Sequence, residues 1–130
     1  MTMLSAVVWS VAILFVIISA QATSGILNNG VKWGFGSRDS SKDETVFQAR
    51  AKRTVANHME SMMMFVPLAL VAHLAGVSTD LAIKGAMLYV AARAIYPLTY
   101  WTGLPYARTV VWFVGVAGTA MVFFQVISAV

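Results

Sequence analysis

Cysteine is absent from the 130-residue sequence, and charged residues are scarce. Without cysteine, the chain can form no disulfide framework, no thiolate metal site and no cysteine nucleophile. Charged residues make up 11% of the chain and hydrophobic residues 59%. Soluble domains average about 25% charged and about 45–50% apolar residues. The composition therefore indicates a membrane protein. The net charge of +4 is attributed to basic residues that set the orientation in the membrane and contact anionic lipid, rather than to nucleic-acid binding.

Charge is also missing from the first 31 residues. The apolar core LSAVVWSVAILFVIISA, residues 4–20, approaches the ~20 residues that a transmembrane helix needs. A cleaved signal peptide is the alternative, because Ala20-Gln21-Ala22 resembles an A-x-A cleavage site. Such peptides carry a positive segment before an apolar core of about 7–15 residues. This sequence has neither feature, which favours a retained helix.

Apolar segments and turn residues predict an all-α membrane protein, with one domain over residues 1–130 and four transmembrane helices in an up-down bundle. The predicted helices span about residues 3–23, 42–75, 79–101 and 105–130. Ser41 and Glu44 have the spacing of a capping box at the start of the second helix. Gly76 and Gly103 mark the two short turns that follow. Most basic residues lie in the first loop and the helix entry that follows it, the third loop has Arg108, and only Lys84 is close to the second loop. The first and third loops are therefore expected to face the cytoplasm, and both termini to face away from it.

A stripe of polar residues enters the second predicted helix. Four of its side chains fall at i, i+3, i+7 and i+10, on one helical face: Arg50, Arg53, Asn57 and Glu60. A carboxylate inside the apolar segment should have a partner. Arg93 on the antiparallel third helix lies at a similar depth, so we predict a Glu60–Arg93 ion pair. This ion pair could either stabilise helix packing alone or form part of a binding site.

A second stripe follows on the third helix, where Arg93, Tyr96 and Tyr100 fall at i, i+3 and i+7. Tyr100 alone could be an interfacial aromatic, and Arg108 alone could extend to lipid phosphate. Together with the first stripe, these residues converge at one membrane face. Such a cluster suits an anionic ligand with carboxylates, held beside an apolar partner from the lipid.

Other features are weaker indications of a site. His58 lies off the first stripe, and His73 is a lone histidine near the opposite face. Gly115 and Gly118 are expected to allow close helix contact without forming a GxxxG motif. No metal site, phosphate-binding loop or Ser-His-Asp set is recognisable.

Three motifs resemble the MAPEG family, membrane-associated proteins in eicosanoid and glutathione metabolism. They are RxxxNxxE at residues 53–60, ARAIYPLTY at residues 92–100 and GLPYART at residues 103–109. The resemblance covers the four-helix layout and most of residues 45–110. Met63 stands where many relatives have a proline, and Ser61 stands where some have an aromatic residue.

The resemblance implies a homotrimer that binds glutathione as co-substrate between subunits, near the cytoplasmic face. The implied glutathione-binding residues are Arg53, Asn57, Glu60, Arg93, Tyr96 and Tyr100. Arg108 would be catalytic, by stabilising the glutathione thiolate. The implied partners are other copies of the same chain, membrane lipid and an apolar small-molecule substrate.

The resemblance favours a glutathione-dependent transferase or peroxidase that acts on apolar electrophiles or lipid hydroperoxides. The alternative is a non-catalytic trimeric membrane protein that binds a lipid or a partner, with the charged cluster structural. A transporter is less favoured, because the sequence shows no inverted repeat and no Gly/Pro-interrupted helices. The short loops suggest a bacterial inner-membrane protein.

Overall fold

The computed structural model describes all residues from Met1 to Val130 and contains only helices. The elements are α1 (Met3–Asn29), α2 (Val31–Phe35), α3 (Val46–Leu74), α4 (Asp80–Trp101) and α5 (Pro105–Ile127). All except the one-turn α2 are long and apolar enough to cross a membrane. Large apolar side chains such as Phe15, Met63, Leu74 and Phe113 are more than 60% exposed. Exposed apolar side chains on helices of this length suit the hydrocarbon core of a bilayer.

Hydroxyl side chains cap the starts of three long helices. The Thr2 hydroxyl accepts a hydrogen bond from the Ser5 backbone N–H, and the Ser5 hydroxyl accepts one from Thr2 in return. Thr45 caps α3 in the same way, by accepting from the Gln48 N–H at 3.1 Å. At the start of α5, Pro105 occupies the first turn, where its missing N–H removes no helical hydrogen bond.

The start predicted for the second transmembrane helix, with its Ser41–Glu44 capping box, is wrong. Residues 41–45 are not helical, and α3 begins at Val46. Two asparagines at the end of α1 hold this segment instead. Asn29 Oδ1 accepts from the Lys42 N–H at 2.6 Å, and Asn28 donates to the Asp43 carbonyl at 2.9 Å. These longer-range bonds outweigh the local capping signal.

The first transmembrane helix also differs from its prediction, because α1 continues to Asn29 rather than ending near residue 23. Residues 24–29 read SGILNN, and their Ser, Gly and Asn content is typical of a loop. Ser24 and Gly25 are buried within the fold. Gly25 packs close to the Trp33 ring, so tertiary contacts extend the helix past its weak local propensity.

Tight turns make α4 run antiparallel to both α3 and α5. Gly76 and Gly103 have φ values of 69° and 75°, a region that glycine enters without steric cost. The most extensive contact joins α4 to α5, and α1 packs chiefly on α3. No Cα atom of α1 lies within 8 Å of a Cα atom of α5, so these two helices occupy opposite corners, with α3 and α4 between them.

Glycine permits an unusually close approach of α4 and α5. A Cβ placed on Gly118 would lie 2.5 Å from the Gly85 carbonyl oxygen and 2.7 Å from the Tyr89 backbone nitrogen. The predicted role of Gly118 in close helix contact is therefore confirmed, and Gly85 is its partner. Beside this contact, Phe65 of α3 stacks on Tyr89 with ring centroids 3.6 Å apart.

Replacing Thr79 by alanine should lower the free energy of unfolding by about 1 kcal/mol. The Thr79 hydroxyl accepts from the Ala82 N–H at 3.2 Å and donates to Gln125 at 2.7 Å. Thermal unfolding in detergent micelles measures the loss. Ser78→Ala, one position earlier and also exposed, is the matched control and should change little. Equal losses in the two variants would contradict the assignment of Thr79 as the cap.

Candidate functional site

Arg93 of α4 is the most deeply buried arginine, with 2% of its surface exposed. Its Nε–H donates to His58 Nδ1 at 3.2 Å. Its guanidinium carbon lies 4.6 Å from the centroid of the Tyr96 ring, within the range of a cation–π interaction. One guanidinium nitrogen, Nη2, is buried without a hydrogen-bond partner. The side chain is therefore fixed on one edge and unsatisfied on the other.

His58 of α3 connects three helices. It is fully buried, and its Nε2 lies 2.9 Å from the Ser10 carbonyl oxygen of α1. Because Nδ1 accepts from Arg93, Nε2 carries the proton and donates to Ser10. The sequence alone gives only a weak indication of this role, because His58 lies off the polar stripe. The structure places it at the centre of the buried polar network.

The predicted ion pair between Glu60 and Arg93 is wrong. The one salt bridge in the chain joins Lys52 to Glu44, and Glu60 is exposed on α3. Residues 58 and 60 point in directions about 200° apart on an α-helix. The phase of α3 therefore presents His58 to Arg93, although Glu60 lies at the same predicted depth.

The largest cavity opens between α3, α4 and α5, with a volume of about 550 Å³. One end is polar, with Asn57, Glu60, Ser61 and Arg93 in its wall. The rest is mainly apolar. These other lining residues are Met64, Leu68, Trp112, Gly115, Val116, Thr119, Ala120, Phe123 and Phe124. Asn57 Oδ1 and Arg93 Nη2 are buried without hydrogen-bond partners, so two residues of the polar end, one with an acceptor and one with a donor, retain hydrogen-bonding capacity that no protein group uses.

Two smaller cavities extend this site towards the α4–α5 turn. One of about 350 Å³ is lined by Asn57, Tyr96 and Arg108, among others. The next, of about 190 Å³, contains Arg50, Tyr100 and Arg108. Asn57 borders the first two cavities and Arg108 borders the last two. The three cavities thus form a series from an arginine-rich end to an apolar end.

Arg108 is half-buried at the junction of the smaller cavities. Its guanidinium carbon lies 4.8 Å from the Tyr100 ring centroid. Arg50 lies beside it in the same cavity and donates to the Trp101 carbonyl at 3.3 Å. Two guanidinium groups close together favour an anion, most directly a carboxylate, phosphate or thiolate.

The structure brings most of the predicted site residues together, in this series of cavities. They are Asn57, Glu60, Arg93, Tyr96, Tyr100 and Arg108. Arg53 is the exception, because its side chain is exposed and lines none of the three cavities. The helical pattern of the sequence does not single out His58, although this residue is fully buried. A signal was available in Arg93, because a buried guanidinium requires an acceptor from a neighbouring helix.

The cavity series suits a ligand that combines carboxylates with amide groups. Arg50, Arg93 and Arg108 supply positive charge, and the unpaired Asn57 oxygen can accept from an N–H. Glutathione has carboxylates, peptide amides and an amine, so the donor set fits it. No group of three His, Cys, Asp or Glu side chains that could hold a metal ion is present.

Comparison with known proteins gives one match. The sequence model described as MAPEG family matches residues 2–128, which is nearly the whole chain. No curated protein and no solved structure matches the chain.

Proposed function

The chain belongs to the MAPEG family, an integral, multi-pass membrane family, and on this basis we propose that it is a glutathione-dependent transferase or peroxidase. Its substrates would be apolar electrophiles or lipid hydroperoxides. The family includes glutathione transferases and peroxidases as well as non-catalytic members. It generally uses glutathione, and its members are often trimeric.

One observation carries the proposal: the cavity series joins a cluster of arginines to an apolar chamber. Arg108 lies at one end, and Phe123 and Phe124 line the other. A hydrophilic anionic co-substrate and a lipid-soluble substrate could therefore meet without either leaving its preferred environment. A purely structural charged cluster would not need the 550 Å³ chamber beside it.

In this proposal, the polar residues of α3 and α4 bind glutathione. Arg93 would bind a carboxylate through its unpaired Nη2, and Asn57 would accept from an amide N–H. The Tyr96 ring packs against one face of the Arg93 guanidinium, and the Tyr100 ring packs against one face of the Arg108 guanidinium. Arg53 and Glu60 are exposed in one chain, so they would contribute at the contact with a second copy in a homotrimer.

Arg108 is the proposed catalytic residue. A free thiol has a pKa of about 8.5 and is mostly protonated at neutral pH. A guanidinium beside it favours the thiolate by direct charge attraction. When bound, glutathione would supply the thiolate nucleophile. At an electrophilic carbon, the thiolate would form a carbon–sulfur bond as the bond to a leaving group such as a halide breaks. At a hydroperoxide, it would break the O–O bond, and a second glutathione would complete the reduction to an alcohol, water and glutathione disulfide. Arg108 would hold negative charge on the sulfur before either reaction.

The proposal also covers the orientation of the helical bundle in the membrane. The α1–α3 connection and the α4–α5 turn lie at the end that bears Lys32, Lys42 and Arg108, whereas Lys84 lies near the other end of α4. By the positive-inside rule, the basic end faces the cytoplasm. Glutathione would then enter from the cytoplasmic side of a bacterial inner membrane.

Calorimetric titration of the purified protein with glutathione tests this function. We expect saturable binding with a Kd between about 1 µM and 1 mM, the range in which enzyme KM values usually lie. Lys84→Ala, which removes an exposed charge at the opposite end, should bind equally well. Well-folded protein that binds no glutathione, and shows no glutathione-stimulated turnover over a broad electrophile panel, would refute the proposal.

A non-catalytic lipid-binding protein is the second candidate. It is favoured by the apolar lining of the largest cavity, where Leu68, Val116, Phe123 and Phe124 face the space. This candidate predicts a lipid that copurifies with the protein and is displaced by competing acyl chains, without any dependence on glutathione.

A further inference from the structure

Arg93 meets a neutral acceptor in a place where a carboxylate would be the usual partner of a buried arginine. Its Nε–H donates to His58 Nδ1 at 3.2 Å, and the chain's one salt bridge lies elsewhere, between Lys52 and Glu44. A ring that accepts at Nδ1 is uncharged, because an imidazolium has no acceptor nitrogen. The bond therefore fixes the Arg93 guanidinium without cancelling its charge.

The His58 ring is itself held from the other side. Its Nε2 donates to the Ser10 carbonyl of α1 at 2.9 Å, and the residue has no exposed surface. Water cannot compete for either ring nitrogen, and each hydrogen bond is stronger in such a setting than at the surface. The tautomer and the orientation of the ring are therefore set by contacts on α1 and α4.

Apart from the bond at Nε, the Arg93 guanidinium has no hydrogen-bond partner in the protein. The Tyr96 ring covers a face at 4.6 Å, and Nη2 is buried with no partner. Arg93 also lines the 550 Å³ cavity. A buried donor on a charged group is costly when unpaired, so an acceptor from a ligand would relieve that cost.

We propose that His58 is a positioning residue, which holds Arg93 at the cavity wall as an uncompensated cation for a carboxylate of the anionic co-substrate. A carboxylate in place of the imidazole would also fix the guanidinium, but it would compete with the ligand for the same charge. The ligand part of this inference rests on the proposed glutathione function, whereas the His58–Arg93 bond does not.

Nitrogen-15 NMR of the protein in micelles tests the bond directly. His58→Asn keeps an acceptor oxygen near the position of Nδ1, and His58→Leu has nearly the same size without one. We expect a neutral His58 ring protonated at Nε2, and a slowly exchanging Arg93 Nε–H signal in the wild type and His58→Asn. His58→Leu should lose that signal. The signal is assigned to Arg93 by its absence from the spectrum of Arg93→Met. An unchanged Arg93 signal in His58→Leu would overturn the proposal.

Glutathione titration of the same variants tests the consequence. His58→Leu should raise the Kd at least about tenfold, which corresponds to ~1.4 kcal/mol, and should raise KM more than it lowers kcat. His58→Asn, which keeps the acceptor, should bind with nearly the wild-type Kd. If both variants unfold at the same temperature, a purely structural role of His58 would instead predict the same Kd for both. Binding by His58→Leu as tight as that of the wild type would overturn the positioning role.

Two further outcomes stay distinguishable. A wild-type protein that binds no glutathione would refute the proposed function, while the NMR signals would still decide the role of His58. Should His58→Leu fail to fold, His58→Gln replaces it. The glutamine amide can keep the bond to the Ser10 carbonyl near the Nε2 position while removing the acceptor at Nδ1, so it should also lose the Arg93 signal.

Discussion

Replacement of Arg108 by alanine is expected to lower glutathione-dependent turnover about 100-fold, the scale seen when a single electrostatic stabiliser is removed from an active site. The guanidinium borders both small cavities and lies 4.8 Å from the Tyr100 ring. Without it, the thiol should titrate nearer its ordinary pKa of about 8.5. The loss should therefore be greatest at low pH and should shrink as the pH rises towards 9. Steady-state rates with an activated aryl halide between pH 6 and 9 measure it.

Lys84→Ala is the matched control for Arg108→Ala. It removes one positive charge from an exposed position near the opposite end of the bundle, so it should keep wild-type rates. Thermal unfolding should show that Arg108→Ala remains folded, because the side chain is only half-buried and forms no ion pair. Equal rates in Arg108→Ala and the wild type, or equal losses in both variants, would contradict the catalytic role.

Replacement of Gly118 by alanine is expected to lower the free energy of unfolding by about 3 kcal/mol, at the upper end of the usual range for overpacking a core. The added methyl group would lie 2.5 Å from the Gly85 carbonyl oxygen and 2.7 Å from the Tyr89 nitrogen. These are backbone atoms, so no side-chain rotation can relieve the clash. The α4 and α5 helices would have to separate along their most extensive contact. Chemical unfolding in mixed micelles measures the change.

Gly115→Ala gives the internal control, one turn earlier on the same helix. A Cβ there would lie 3.5 Å from the Ala92 methyl group and 3.7 Å from Arg93 Cδ, which are ordinary van der Waals distances. We expect no destabilisation, because alanine is favoured over glycine in a helix interior by about 1 kcal/mol and the added methyl group meets no clash. Comparable destabilisation in both variants would show that the loss of glycine, rather than the close contact, is responsible.

The fold could be largely predicted from the sequence, because long apolar runs and short glycine turns leave few arrangements in a membrane. The all-helical architecture with four membrane-spanning helices is confirmed. The end of α1 and the start of α3 could not be predicted locally. They depend on Asn28 and Asn29, which bond to Asp43 and Lys42, and sequence periodicity carries no information about such partners.

The candidate site was predictable in composition but not in pairing. Helical spacing correctly grouped Asn57 and Glu60, and both line the largest cavity with Arg93. It could not show which residue of α3 meets Arg93, because that depends on the rotation of two helices against each other. A rotation that brings His58 to Arg93 leaves Glu60 at the cavity wall. Whether Arg53 and Glu60 bind glutathione in a trimer stays a prediction.

The separation of α1 from α5 has a consequence for the order in which the polar network forms. The bundle consists of two helical hairpins, α1 with α3 and α4 with α5, and each is built from contacts between consecutive long helices. Such local contacts form early, and a chain made from its N-terminus can complete the first hairpin before the second has been synthesised. The His58–Ser10 bond lies within that first hairpin. The acceptor for Arg93 can therefore be in place before the arginine enters the membrane.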